Sequence, residues 1–211
     1  MSKTKKLLIA AVCLVAILTT AVVGTIAWLT DKTETVKNTF SPSNIDITLT
    51  ETKGTGTLPN KTFKMVPGTT IDKDPVVTVK AISEKCWLFV KIEKTNGFDN
   101  FMAYAVDSEW TELATGSGIY YRQVAASNAD QPFSILGAGT VTVNDITCTW
   151  TKNQVLVRPD VTESMMESLT DVTKYPTLIF TAYAVQQEGI ADANANGTAV
   201  DEAWAAASAQ Q

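Results

Sequence analysis

Cys86-Trp87-Leu88-Phe89-Val90-Lys91-Ile92 is the most apolar run of the chain beyond its N-terminal region. Apolar residues at consecutive positions put hydrophobic side chains on both faces of a strand, so the run predicts a central strand, apolar on both faces for part of its length. Asn96-Gly97 marks a turn after it. Upstream, Ile45 to Thr50 alternates apolar with polar as a half-buried strand does, and Gly54, Gly56, Pro59 and Asn60 break it. Phe63, Met65 and Val66 lead to the turn Pro67-Gly68, and Val76 to Val79 form a strand after Pro75. Downstream, strands are predicted at 110–113, 119–124, 133–136, 140–143, 146–150 and 177–184. Only 161–169, with Thr162 as a candidate N-cap, and an alanine-rich tail near 200–208 read as helical. Many short strands without βα alternation predict an all-β domain, an antiparallel jelly-roll-like β-sandwich with one or two short helices.

The N-terminus predicts export. Lys3, Lys5 and Lys6 precede an uncharged apolar stretch from Leu7 to Val23, the layout of a secretory signal helix. Thr25 and Ala27 stand at the −3 and −1 positions of a small-residue cleavage site before Trp28, so the cut is expected after Ala27. The alternative is an uncleaved anchor, since no charge lies between Leu7 and Leu29 and about 20 apolar residues suffice to span a bilayer. Either way the expected location is outside the cytoplasm: secreted, in the extracellular matrix or at the cell surface. The expected layout is a signal peptide at 1–27, a mature N-terminal segment at 28–43 and a β-sandwich domain at 44–211.

Loss of residues 1–27 from the 211 leaves 184, enough for one domain with a full core. Removing Lys3, Lys5 and Lys6 from 17 basic residues leaves 14 against 22 acidic ones, a net charge of −8. Such a surface disfavours nucleic acid, which basic patches bind. Cys13 goes with the signal, leaving Cys86 and Cys148, which either pair in an oxidising compartment or remain buried thiols.

The chain contains no histidine. That removes Ser-His-Asp and Cys-His nucleophile systems and the HExxH zinc site. Asp72 with Asp74 flanks a turn, and Glu163 with Glu167 fits the solvated face of a helix; neither pair is expected to be catalytic. Asp192-Ala193-Asn194-Ala195-Asn196-Gly197 matches the first half of an oxygen-rich calcium loop, with Asp192, Asn194 and Asn196 at alternate positions. The twelfth position, where a bidentate acid belongs, is Ala203, so a polar linker is the expected reading. Trp87, Trp110, Trp150, Tyr120, Tyr121 and Phe180 fall on predicted strands and read as core. No cofactor is expected.

Taken in order, several segments are similar to the TasA/camelysin family of Gram-positive bacteria. They are Gly24-Thr25-Ile26-Ala27-Trp28-Leu29-Thr30-Asp31, Asn38-Thr39-Phe40, Ile45 to Glu51 and Met65-Val66-Pro67-Gly68. Lys73-Asp74-Pro75 with Val77-Thr78-Val79, Cys86 to Lys91, Gly118-Ile119-Tyr120-Tyr121-Arg122 and Ala182-Tyr183-Ala184-Val185-Gln186 complete the set. The resemblance covers nearly the whole chain. It implies a jelly-roll sandwich whose signal is read by a SipW-type signal peptidase and whose members build biofilm matrix fibres. Self-association, with an accessory or anchoring matrix protein, is the implied partnership. Camelysin is classed as a surface metalloprotease, an activity that the absence of histidine weakens here. Edge strands accept an added strand. The segment from Trp28 to Phe40 is a candidate donor, because Trp28, Val36 and Phe40 share one face at period 2; Lys32 and Glu34 interrupt that face, and the alternative is that the segment pairs within its own domain or is a linker. A fibre subunit is therefore the first expectation, a monomeric or anchored surface binding module the second, and a peptidase the third.

Overall fold

The computed structural model describes residues 3–5, 44–190 and 199–209. The apolar stretch 7–23, the cleavage residues Thr25, Ala27 and Trp28, the segment residues Val36 and Phe40, and Asp192, Asn194 and Asn196 lie outside the described residues. The chain divides into two units, Met1–Ser41 and Pro42–Gln211, and the second carries the β-structure.

Its strands are β1 (Ile47–Thr50), β2 (Thr70–Asp72), β3 (Val76–Val79), β4 (Cys86–Thr95), β5 (Met102–Ala103), β6 (Ala105–Val106) and β7 (Thr111–Glu112). They continue as β8 (Ile119–Val124), β9 (Gln131–Ser134), β10 (Leu136–Gly137), β11 (Gly139–Val143), β12 (Ile146–Trp150), β13 (Gln154–Val157) and β14 (Thr177–Gln186). Three short helices accompany them: α1 (Phe98–Phe101), α2 (Glu163–Glu167) and α3 (Ala199–Ser208). All the strand pairs are antiparallel, and the architecture is an all-β sandwich. No helix among the described residues is long and apolar enough to cross a membrane.

The long strand β4 organises one layer, a sheet in the order β14-β4-β8-β7. Its inward side chains Cys86, Leu88, Val90 and Ile92 are buried, and Phe180, Ala182 and Ala184 of β14 continue that face. Opposite them stands the sheet β1-β3-β9, whose Val77 and Val79 are fully or almost fully buried, with Ile47, Leu49 and Phe133 beside them. Each fully buried aliphatic side chain here contributes roughly 1.5–3 kcal/mol.

The other face of β4 is apolar for a different reason. Phe89 points away from the sandwich core, yet it is 0% exposed because α3 lies over it. Trp204 of α3 packs its ring 5.4 Å from Phe89 and 5.3 Å from Tyr183, edge-on to the latter, while Ala203 and Ala207 bring the helix close to the sheet. A second cluster lies around the sheet β2-β13-β5, where Phe98, Phe101, Met102, Leu136, Val155, Val157 and Val161 are buried. Helix α2 packs Met165 and Met166 on it, and Thr162 caps α2 by accepting the Met165 N–H at 3.3 Å.

Candidate functional site

A groove of about 450 Å³ opens between the start of β14 and the segment that precedes β2. One wall is a small hairpin in which Thr55 and Thr62 exchange backbone hydrogen bonds at 2.9 Å. Gly54 permits the hairpin to press on Phe63: its φ is +80°, and a Cβ there would lie 2.7 Å from the Phe63 ring. The other wall is a turn of 3₁₀-helix, Val172–Lys174, followed by Tyr175 and Pro176. Asn96 fastens this wall to the end of β4, its Nδ2 donating to the carbonyls of Thr173 at 2.8 Å and Tyr175 at 2.9 Å. Asp171 caps the 3₁₀ turn by accepting from the Thr173 hydroxyl and from the Thr173 N–H at 2.8 Å, and these two bonds hold its carboxyl below the ordinary range.

Ile71, Phe98, Met102 and Val155 form the apolar floor, and Leu178 and Ile179 line the side along β14. Among the described strands β14 pairs only with β4, so its outer edge at Thr177, Leu178 and Ile179 stands open to the groove. Around the mouth, Leu58, Val172, Tyr175 and Ile179 are large apolar residues exposed by 47%, 74%, 41% and 45%.

One lysine of the groove lining is ion-paired to a residue behind it. Lys73 Nζ donates to Glu51 Oε1 at 2.8 Å, with the side chains only 10% and 8% exposed. The ammonium lies 4.7 Å from the Phe63 ring centroid and 5.4 Å from that of Phe180, where ring quadrupoles favour a cation. The pair places no net charge at the base of an apolar cleft. No acidic residue occurs from Thr52 to Ile71, whereas Lys53, Lys61 and Lys64 do, and of these Lys61 lines the groove; the 3₁₀ wall carries both Asp171 and Lys174.

Sequence patterning did not point to this site. Its floor comes from two- to four-residue strands and a one-turn helix, which carry no periodic signal. The acid-free, lysine-bearing run from Thr52 to Ile71 in an acidic chain was the available sign.

The residues singled out from sequence fall elsewhere. Cys86 and Cys148 are free thiols, the first on β4 and the second on the β11–β12 hairpin, so the buried-thiol alternative describes Cys86. Burial pushes the Cys86 thiol up to about 11, which keeps it protonated and unreactive. Cys148 is only half-buried. Asp72 accepts from Gln154 Nε2 at 2.9 Å, while Asp74 accepts the backbone N–H groups of Thr52 and Lys53 at 2.9 Å and the Thr52 hydroxyl. Burial acts to raise Asp74, and those hydrogen bonds outweigh it and hold the carboxyl below its ordinary value. The two aspartates thus fasten separate loops. Glu163 and Glu167 are exposed on α2.

The tryptophans on the strands pack against neighbouring residues. Trp87 meets Tyr121 edge-on at 5.8 Å, and Trp110 is 6% exposed with Nε1 donating to the Ser134 carbonyl at 2.8 Å. Trp150 packs over Gly139, where a Cβ would lie 2.2 Å from the indole. Among the described residues no three His, Cys, Asp or Glu side chains gather into a metal-binding group. Comparison of the chain with protein-family models, with curated proteins and with solved structures gives no match in any of the three.

Proposed function

We propose that this chain is an exported structural subunit that assembles into an extracellular fibre by donating its N-terminal segment to a neighbouring copy, and that it has no catalytic role. The observation that carries the reading is the groove: an open strand edge at Thr177, Leu178 and Ile179 above an apolar floor, with exposed Leu58, Val172 and Tyr175 around it. An unpaired edge offers backbone N–H and C=O groups to an added strand, and apolar pockets beside it select alternate side chains. Trp28, Val36 and Phe40 recur on one face of an extended segment and supply such side chains. Donation from each copy to the next is a head-to-tail contact that does not close, so it propagates as a filament.

The sequence resemblance to the TasA/camelysin family supports the same reading. Cleavage after Ala27 by a SipW-type signal peptidase would release the segment from the membrane and so time assembly to export. Negative-stain electron microscopy of the purified exported protein at rising concentration tests the proposal. Filaments that lengthen with concentration are expected; a protein that stays monomeric at every concentration would rule it out and leave a surface binding module.

A further inference from the structure

Half-buried Lys61 is a cation on the groove wall that makes no ion pair with any described residue, while Lys73, the other lysine of the lining, is matched by Glu51. No carboxylate lines the groove. An apolar cleft with one unmatched ammonium suits an occupant that carries an anion beside its apolar side chains, because burying either charge without a partner is costly.

The segment from Trp28 to Phe40 has this pattern. In an extended chain Glu34 lies on the same face as Val36 and Phe40, two and six residues away, with Lys32 two residues before it, so a groove that receives Val36 and Phe40 receives the carboxylate next to them, and a slip by two in one direction sets Lys32 in its place. Asp31, the segment's other acid, falls on the opposite face. We infer that Lys61 is the register-fixing residue of the groove, pairing with Glu34 of the segment contributed by a second copy of this chain. This rests on the strand-donation reading, and it adds to that reading a reason for one register. Backbone pairing alone tolerates slippage by two residues, whereas a slip by two carries Glu34 away from Lys61 and leaves both charges unmatched.

The test is a charge exchange. A fluorescent peptide of residues 28–40 is titrated onto the monomeric fraction of the exported protein and followed by anisotropy. Lys61→Glu is expected to weaken binding of the native peptide by about tenfold, through loss of one attraction and gain of a repulsion. The peptide carrying Glu34→Lys is expected to bind wild type poorly and to regain affinity for Lys61→Glu. Lys64→Glu, which alters a rim lysine outside the lining, is expected to change binding by less than threefold. Native affinity in Lys61→Glu, failure of the exchanged pair to recover, or an equal loss in Lys64→Glu would each overturn the assignment while leaving donation intact. Absence of any binding of the native peptide to wild type would instead overturn donation itself, and the Lys61 assignment with it. Circular dichroism of each variant separates these outcomes from misfolding.

Discussion

Lys73 and Glu51 meet at 2.8 Å with both side chains about nine-tenths withdrawn from water. Removing one partner strands the other charge in a site flanked by Phe63 and Phe180, so Lys73→Ala is expected to cost about 3 kcal/mol in urea unfolding. The double change Lys73→Ala with Glu51→Ala should cost clearly less than the sum of the two single changes, since no lone charge then remains. Additive losses would show that the pair is not coupled. Asp107 contributes a different dependence. Burial acts to raise its carboxyl, but Lys152 at 2.7 Å and the Glu109 N–H at 3.0 Å outweigh burial and hold it below the ordinary value. A carboxyl depressed in the folded state adds stability that is present above the unfolded value, about 3.9, and is lost as pH falls through the lower folded one. Asp107→Asn should therefore be less stable than wild type at pH 7, and the gap should shrink as unfolding is measured toward pH 3. A gap that stays constant with pH would contradict the assignment.

Among the elements, β4 shows how far patterning reaches. Its apolar run predicts two apolar faces for part of its length, and both are covered, one by the opposing sheet and the other by α3. The strands β3, β8 and β12 span the residues that strand patterning and turn signals predict, each having a Gly, Pro or Asn near an end. Patterning fails at β2, β5, β6 and β13. They run from two to four residues, and Val155, Leu156 and Val157 are buried consecutively, so no alternation exists to be read. The predicted strand at 110–113 shortens to β7 because Trp110 turns into the core to reach the Ser134 carbonyl. The alanine-rich tail was legible as a helix, but its docking site was not, since that depends on Phe89 and Tyr183 lying side by side on β4 and β14. A ten-residue helix is marginal alone, and packing must hold it. Trp204→Ala is accordingly expected to destabilise the chain by about 2 kcal/mol and to expose an aromatic sheet face that binds a hydrophobic dye. Unchanged stability and dye binding would mean that α3 does not hold this face.

At the scale of the molecule, the groove joins what sequence and structure supply separately. The sequence offers a segment with apolar anchors on one face, and the sandwich offers an edge unpaired among the described strands, over an apolar floor with Lys61 on its wall. Composition alone argued against nucleic acid and against histidine-based catalysis, but the groove was beyond its reach because its walls are set by long-range contacts. Asn96 holding the carbonyls of Thr173 and Tyr175 spans more than seventy residues of sequence. The most direct test of donation is electron microscopy of the exported protein beside a variant lacking residues 28–40, with circular dichroism on both. The account predicts filaments from the first and none from the second, while both give the same β-rich spectrum. Filaments formed as readily by the truncated chain would contradict it.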